Sequence, residues 1–321
     1  MEQLLPAITG GHAQSSVAAA RAGATNVVQN RMARLAGLNA GGGFPADPVA
    51  WIKPFAADTA QGSRGGVSGF DGVTTGVAIG IDGQFTEDLR AGAAVSYAQA
   101  KISSRGASDS SVDIDTAQIT GYGAYDINPV THLNLLGAFA WNGNDSRRAI
   151  NFGGLSRLAE ADFDSWHGIA DVELVRDVPL GRRLTFQPSL GLTYIHAEAE
   201  DYSEAGAGAA NLTVDDADAD SLDLSASGKL SYALAKGINL SSNFGVTYDV
   251  LAGDDQVTAT FEGGGGAFVT ESIDPAPAGV TAGIALELVP RTGIDAVLAY
   301  DLEARDDFRN HQFQLNFRLP F

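Results

Sequence analysis

The chain has 321 residues, with 20 basic and 39 acidic side chains and a net charge of −19. That balance excludes ordinary nucleic-acid binding, which needs clustered Lys and Arg. Cysteine is absent, which excludes disulfides, thiol nucleophiles and Cys-ligated metals and suits a chain that crosses an oxidising compartment unfolded.

No run of about 18 apolar residues occurs, so no transmembrane helix is encoded. "MEQLLPAITG" lacks the basic and apolar regions of a signal peptide, so an exported form would carry its leader further upstream. His12, His132, His167, His196 and His311 are scattered without a ligand spacing, and neither a metal nor a cofactor is expected.

The first 47 residues form one unit. Ser15 to Leu35, "SSVAAARAGATNVVQNRMARL", is rich in Ala and helix formers, with Ser15 or Ser16 as N-cap, and "GLNAGGGFPADP" breaks it. A helix of that span reaches roughly 32 Å, comparable with a membrane's hydrocarbon thickness. It carries Arg21, Arg31 and Arg34 among small side chains and is not apolar enough to lie in lipid.

From Ala50 the apolar period changes from 3.6 to 2. Strands are expected at 50–56, 73–85, 89–101, 113–125, 132–142, 163–175, 184–196, 222–232, 238–250, 280–288, 294–302 and 311–321. Leu184, Phe186, Leu190, Leu192 and Tyr194 oppose Thr185, Gln187, Ser189 and Thr193. In the last strand Phe313, Leu315, Phe317, Leu319 and Phe321 oppose Gln312, Gln314, Asn316 and Arg318. The fourth strand is ambiguous, because both of its faces mix apolar and polar groups.

Tight connections at 86–88, 127–131, 177–183, 233–237 and 289–293 alternate with longer ones at 57–72, 102–112, 143–162, 197–221 and 251–279. Short turns on one rim and long loops on the other, with about ten residues per strand, predict an outer-membrane barrel. Trp51, Tyr97, Tyr125, Trp141, Trp166, Tyr194 and Tyr300 fall near strand ends, as in the aromatic girdles of such barrels. The fold expected is an all-β membrane barrel: twelve antiparallel transmembrane strands over 48–321, the last pairing with the first. Residues 1–47, with their helix, precede this barrel. Gly76, Ala78, Gly80, Gly92, Ala94, Ser96 and Ala98 would face the lumen and leave room there.

"VVQNRMARL" (27–35), "AWIKPF" (50–55), "GFDGVTTGVAIGID" (69–82), the strand–acidic loop–strand of 184–222 and the aromatic-terminated last strand lie in order along the chain. With them the sequence resembles the carboxyl-terminal translocator domain of autotransporters, the type V secretion proteins. The resemblance implies a helix-threaded pore, linked to an N-terminal passenger that the domain brings to the surface of a Gram-negative cell. It also implies recognition of the last strand, through Phe317 and Phe321, by the barrel assembly machinery. Periplasmic chaperones, outer-membrane lipids and lipopolysaccharide are further expected partners, and the barrel is expected to be a monomer. Asp171, Glu173 and Asp301 are lumen carboxylates that Arg21, Arg31 and Arg34 could meet. A passenger-free porin or a surface-loop adhesin is the alternative.

No enzymatic activity and no catalytic residue are expected. One subclass of the family cleaves its own helix at an Asn-Asn pair, but Asn26 is followed by Val27. A barrel hydrolase would need a triad such as Ser165, His167 and Asp164, where His167 reads better as a polar lumen residue. "DDADADS" (215–221) lacks the Gly and Glu of a calcium loop and reads as a solvated acidic loop. "GGGG" (263–266) is too featureless to cradle phosphate.

Overall fold

Alternation over many residues can bury one face only if the strands find partners. In the computed structural model they do, over the described residues 2–6, 48–106, 109–253, 256–273, 275–289 and 294–320. The expected pore helix, Asn26–Val27 and Phe321 lie outside these residues.

Twelve long strands make the wall: β1 (Val49–Gln61), β2 (Phe70–Gln84), β3 (Leu89–Ser104), β4 (Ser110–Asn128), β5 (Thr131–Phe152) and β6 (Leu155–Arg176). They continue as β7 (Leu184–Ala199), β8 (Ala217–Ala235), β9 (Ile238–Asp249), β10 (Ala278–Leu288), β11 (Asp295–Arg305) and β12 (Phe308–Pro320). Each pairs antiparallel with its neighbours in sequence. The ring closes where β12 meets β1, from Val49 opposite Pro320 to Gln61 opposite Phe308. Lipid supplies no hydrogen-bond partners, so a sheet can span it only without a free edge.

The rim of short connections, including residues 129–130 and 236–237, carries Val49 and Pro320 and is the periplasmic one. The outer rim departs from expectation at residues 143–162. These form no long loop, because β5 and β6 run on as a hairpin 22 residues long on each side. It turns at Gly153 and Gly154, with φ of 59° and 85°, a two-residue turn whose twist matches the strands.

The ambiguity of the fourth strand has a physical cause. In the lower part of β4, Gln118 and Thr120 face the lumen, while Ile119 and Tyr125 are 51% and 46% exposed on the outside. Above Ala117 the sense inverts: Val112 and Ile114 are buried inside, while Asp113 and Asp115 point outward. β3 inverts likewise, with Val95 and Tyr97 outside below and Lys101 outside above, opposite buried Ile102. Lipid surrounds the lower barrel, so its apolar side chains face out. Water surrounds the upper extension, so its apolar side chains turn inward.

Tyr97, Trp141, Trp166 and Tyr194 lie outward at the level of this inversion, as a girdle should. Trp166 stacks on Phe139 at 5.4 Å. Trp51 does not belong to the girdle. It is 1% exposed and faces the lumen, where its Nε1 donates to Tyr122 Oη at 2.8 Å. Its place on the strand fixes its face, which nearness to a strand end cannot reveal.

The upper extension supports an outer subdomain. Tyr202–Ser203, Leu212–Val214, Gln256–Phe261 and Phe268–Glu271 form a small antiparallel sheet. It packs Tyr202, Leu212, Val214, Val257 and Ala259 on Ala161 and Phe163 of β6. The glycine run 263–266 lies in the connection between its last two strands, with Gly264 and Gly265 at φ of 95° and 129°. Ile273 then packs with Phe70, Ile102, Val112 and Ile114 of β2–β4. Since β9 and β10 stand across the ring from β2–β4, this connection spans the barrel mouth. "DDADADS" is not wholly a loop: Ala217 begins β8, where Asp218 and Asp220 alternate with buried Ala219 and Ser221.

The lipid-facing assignment predicts that Ile119→Arg, two residues below the girdle, destabilises the barrel by about 1–2 kcal/mol, between the cost at the interface and that at the midplane. Asp113→Arg, on the same face above the girdle, should leave stability nearly unchanged. Urea unfolding in vesicles, followed by tryptophan fluorescence, separates the two.

Candidate functional site

The outer wall of the barrel is apolar, so any chemistry within the membrane span belongs to the lumen. At the closing seam the inward positions of β12 are polar, and Lys53 and Thr59 of β1 bond to them across the gap. Lys53 Nζ donates to Gln314 Oε1 at 3.2 Å, and Thr59 Oγ1 to Asn310 Oδ1 at 3.1 Å. Arg318 of β12 reaches away from β1, its Nη2 donating to Glu287 Oε1 of β10 at 3.0 Å, with Asp295 Oδ2 of β11 3.5 Å from its Nε. The seam therefore carries side-chain bonds besides its backbone ladder.

The small residues of β2 and β3 do face inward, and Ala78, Ala94 and Ala98 are buried. Part of the room they leave is taken by aromatic rings of the barrel itself. A Cβ on Gly80 would come within 2.4 Å of the Trp51 ring, and one on Gly76 within 2.4 Å of Phe55. Tyr122 stands on Gly92 and passes the hydrogen bond of Trp51 on to Asp82 Oδ2 at 2.8 Å. Sequence reading missed this cluster. Its signal is the cross-strand pairs Trp51 with Gly80 and Phe55 with Gly76, which register alone reveals.

Opposite this cluster the wall from β6 round to β12 lines a cavity of about 280 Å³. Five carboxylates, Asp171, Glu173, Asp223, Asp301 and Glu303, face it against Lys229 and Arg305. Arg305, almost fully buried, bridges Asp223 at 2.9 Å and Glu303 at 2.8 Å. All three carboxylates expected in the lumen stand there. Asp171 accepts from Thr193 Oγ1 at 2.7 Å, and Glu173 from Asn134 Nδ2 at 3.1 Å. Asp301 accepts from Asn243 and Gln314, each at 3.3 Å. Arg21, Arg31 and Arg34 lie outside the described residues, as does Phe321, while Phe317 is half-buried on the outer face.

The Ser165–His167 pair also faces inward, but in an amide network rather than a triad. Asn142 and Asn144 each donate to Ser165 Oγ, at 3.1 and 3.0 Å, and Asn142 Nδ2 is 3.3 Å from His167 Nδ1. Asp164 projects from the opposite face of β6 into solvent. Alternation in a strand forbids neighbours in sequence from meeting on one side. At the periplasmic rim, His132 sits between Asp126 at 2.6 Å and Asp177 at 3.4 Å, fastening the β4–β5 turn to the segment after β6. Among the described residues no cluster of His, Asp and Glu could hold a metal ion.

A closed ring of twelve antiparallel strands, greasy outside, polar within and girdled by aromatics, defines a β-barrel of the bacterial outer membrane. The family model of the autotransporter beta-domain matches residues 50–301, and the chain belongs to that family: it is an outer-membrane translocator barrel. Outer membrane protein B of Rickettsia conorii is 23% identical over 290 residues, covering 84% of this chain and 17% of that protein. Outer membrane protein B of Rickettsia rickettsii is 26% identical over 196 residues, 56% of this chain and 11% of that protein. The chain thus spans only a small part of the length of these relatives. The translocator domain of autotransporter NalP from Neisseria meningitidis has the same fold, with a TM-score of 0.76 at 17% identity over 97% of this chain and 99% of that one. The beta domain of the Bordetella autotransporter BrkA gives 0.62 at 15% identity, over 86% and 100%.

Removing Arg305 leaves Asp223 and Glu303 facing each other across the cavity. Arg305→Ala is expected to cost about 1–3 kcal/mol for the stranded carboxylates and to make the lumen more cation-selective. The reversal potential of single barrels in a salt gradient, beside the urea midpoint, checks both effects.

Proposed function

We propose that residues 48–321 are the translocator through which this protein's own N-terminal passenger reaches the cell surface, and that residues 1–47 hold the linker threading the pore. The observation that carries the reading is the position of the two ends of that linker. Residues 2–6 pack on the outer tip of β5, while Val49 is paired at the periplasmic rim. A helix joining them outside the barrel would carry Arg21, Arg31 and Arg34 into lipid, at about 2.5–3.5 kcal/mol for each cation at the helix centre. The lumen is the wet route.

On this reading Arg21, Arg31 and Arg34 face Asp171, Glu173 and Asp301, and charge pairing holds the linker in the acidic cavity. The barrel acts without catalysis. Its lumen supplies solvation, and passenger folding outside supplies the pull. Phe317 and Phe321 serve the barrel assembly machinery, chaperones escort the unfolded chain, and lipopolysaccharide surrounds the girdle. The closed ring offers no free strand edge to which a second copy could add, in keeping with a monomer.

Deleting residues 1–47 should convert a nearly closed barrel to an open one, with single-channel conductance in planar bilayers rising several-fold. Arg31→Glu should move conductance in the same direction and expose the linker to protease. An unchanged conductance in both would remove the plug, and a passenger-free porin would then be the better reading.

A further inference from the structure

The outer subdomain contains a buried ion pair that the barrel wall does not need. Arg148, on the inner face of the β5 extension, is 0% exposed, and Glu204 beside it is 3% exposed. Arg148 Nε donates to Glu204 Oε1 at 2.9 Å, and Nη2 donates to Glu204 Oε2. Nη2 also reaches the carbonyl of Ala210 at 2.9 Å. Glu204 takes a further hydrogen bond from the backbone N–H of Leu212 at 2.9 Å. The Ala210 carbonyl and the Leu212 N–H thus hold the pair in place, and Glu204 orients the guanidinium.

One arm of that guanidinium serves another segment. Nη1 donates to the backbone carbonyl of Gln3 at 2.7 Å, across 145 residues of sequence. The N–H of Asn151, at the hairpin tip, donates to Gln3 Oε1 at 2.8 Å. Leu4 packs on an apolar cluster of Ile150, Ala159 and Ala207, flanked by Ala210, and Pro6 is buried just after it. Three consecutive features of the chain are therefore read together: a carbonyl, a side-chain amide and an apolar anchor.

We propose that the β5–β6 tip and the 204–212 segment are a seat that holds the exported chain as it leaves the pore, by docking Gln3 and Leu4. The inference rests on the translocator reading and adds to it a fixed exit point. A carbonyl received by a buried, already oriented guanidinium is bound with little further ordering, which favours a seated chain over a wandering one. The Leu4 anchor adds an apolar contact to the two polar ones made by Gln3. Once seated, the chain resists sliding back into the lumen, and the passenger is presented from the β5–β6 side of the mouth.

The absence of cysteine from these 321 residues allows a clean test once any cysteine upstream of them is replaced. In the complete protein displayed in outer membranes, Gln3→Cys is combined either with Asn151→Cys or with Arg64→Cys on the exposed β1–β2 loop. Each pair is treated with a short bismaleimide. A seated chain cross-links to position 151 at least tenfold more than to position 64, and Leu4→Asp abolishes the preference while the barrel keeps its heat-modifiable mobility on gels. Equal cross-linking at the two positions, or a preference indifferent to Leu4→Asp, overturns the seat while leaving the translocator reading intact if the upstream chain is digested by protease added to cells. If that chain never becomes protease-accessible, the translocator reading falls, and the seat falls with it.

Discussion

The pairing of β12 with β1 is the constraint on which everything else in this molecule depends. A strand in hydrocarbon has no water to satisfy its N–H and C=O groups, so a spanning sheet must close or not exist. The seam runs from Val49–Pro320 to Gln61–Phe308, joining the two ends of a wall some 270 residues long in sequence. Lys53, Thr59, Asn310 and Gln314 strengthen it from inside, where polar side chains meet no lipid. Closure then creates the lumen, and the lumen creates the need for a polar inner face.

A second constraint acts along each strand rather than around the ring. The outward surface must suit whatever surrounds it, and the surroundings change at the girdle. Below Tyr97 and Trp141 the barrel is inside out, with Gln118, Thr120 and Asn134 buried in its interior. Above them it follows the ordinary rule of water-soluble proteins, with Ile102, Val112, Ile114 and Ile150 buried. This reversal gives the extension a dry core of its own. That core supports the small sheet, the connection across the mouth and the buried Arg148–Glu204 pair.

Function follows from these two constraints with little added chemistry. The acidic cavity, the aromatic cluster on Gly76 and Gly80 and the polar seam divide the lumen into a charged side and a packed side. An extended or helical segment bearing Arg residues suits the charged side, and the subdomain above offers a place for such a segment to emerge. The amide network around Ser165 and His167 belongs to the same solvating lining. Its members bond to one another and to the wall.

Strand number, strand order and the segregation of short from long connections were legible in the sequence, because a period of two survives whatever the neighbours are. The wet inner face of β12 was legible for the same reason, and so were Asp171, Glu173 and Asp301 as lumen groups. Three things needed the tertiary structure. Trp51 faces inward because its register sets it over Gly80, and register is a property of two strands. The mixed faces of β4 become orderly once the level of the girdle is known. The hairpin of 143–162 and the docking of Gln3 on Arg148 join residues whose local sequence carries no trace of each other. Periodicity is local and can be read along a line; which solvent a face meets, and which distant group fills it, is decided only when the ring has closed.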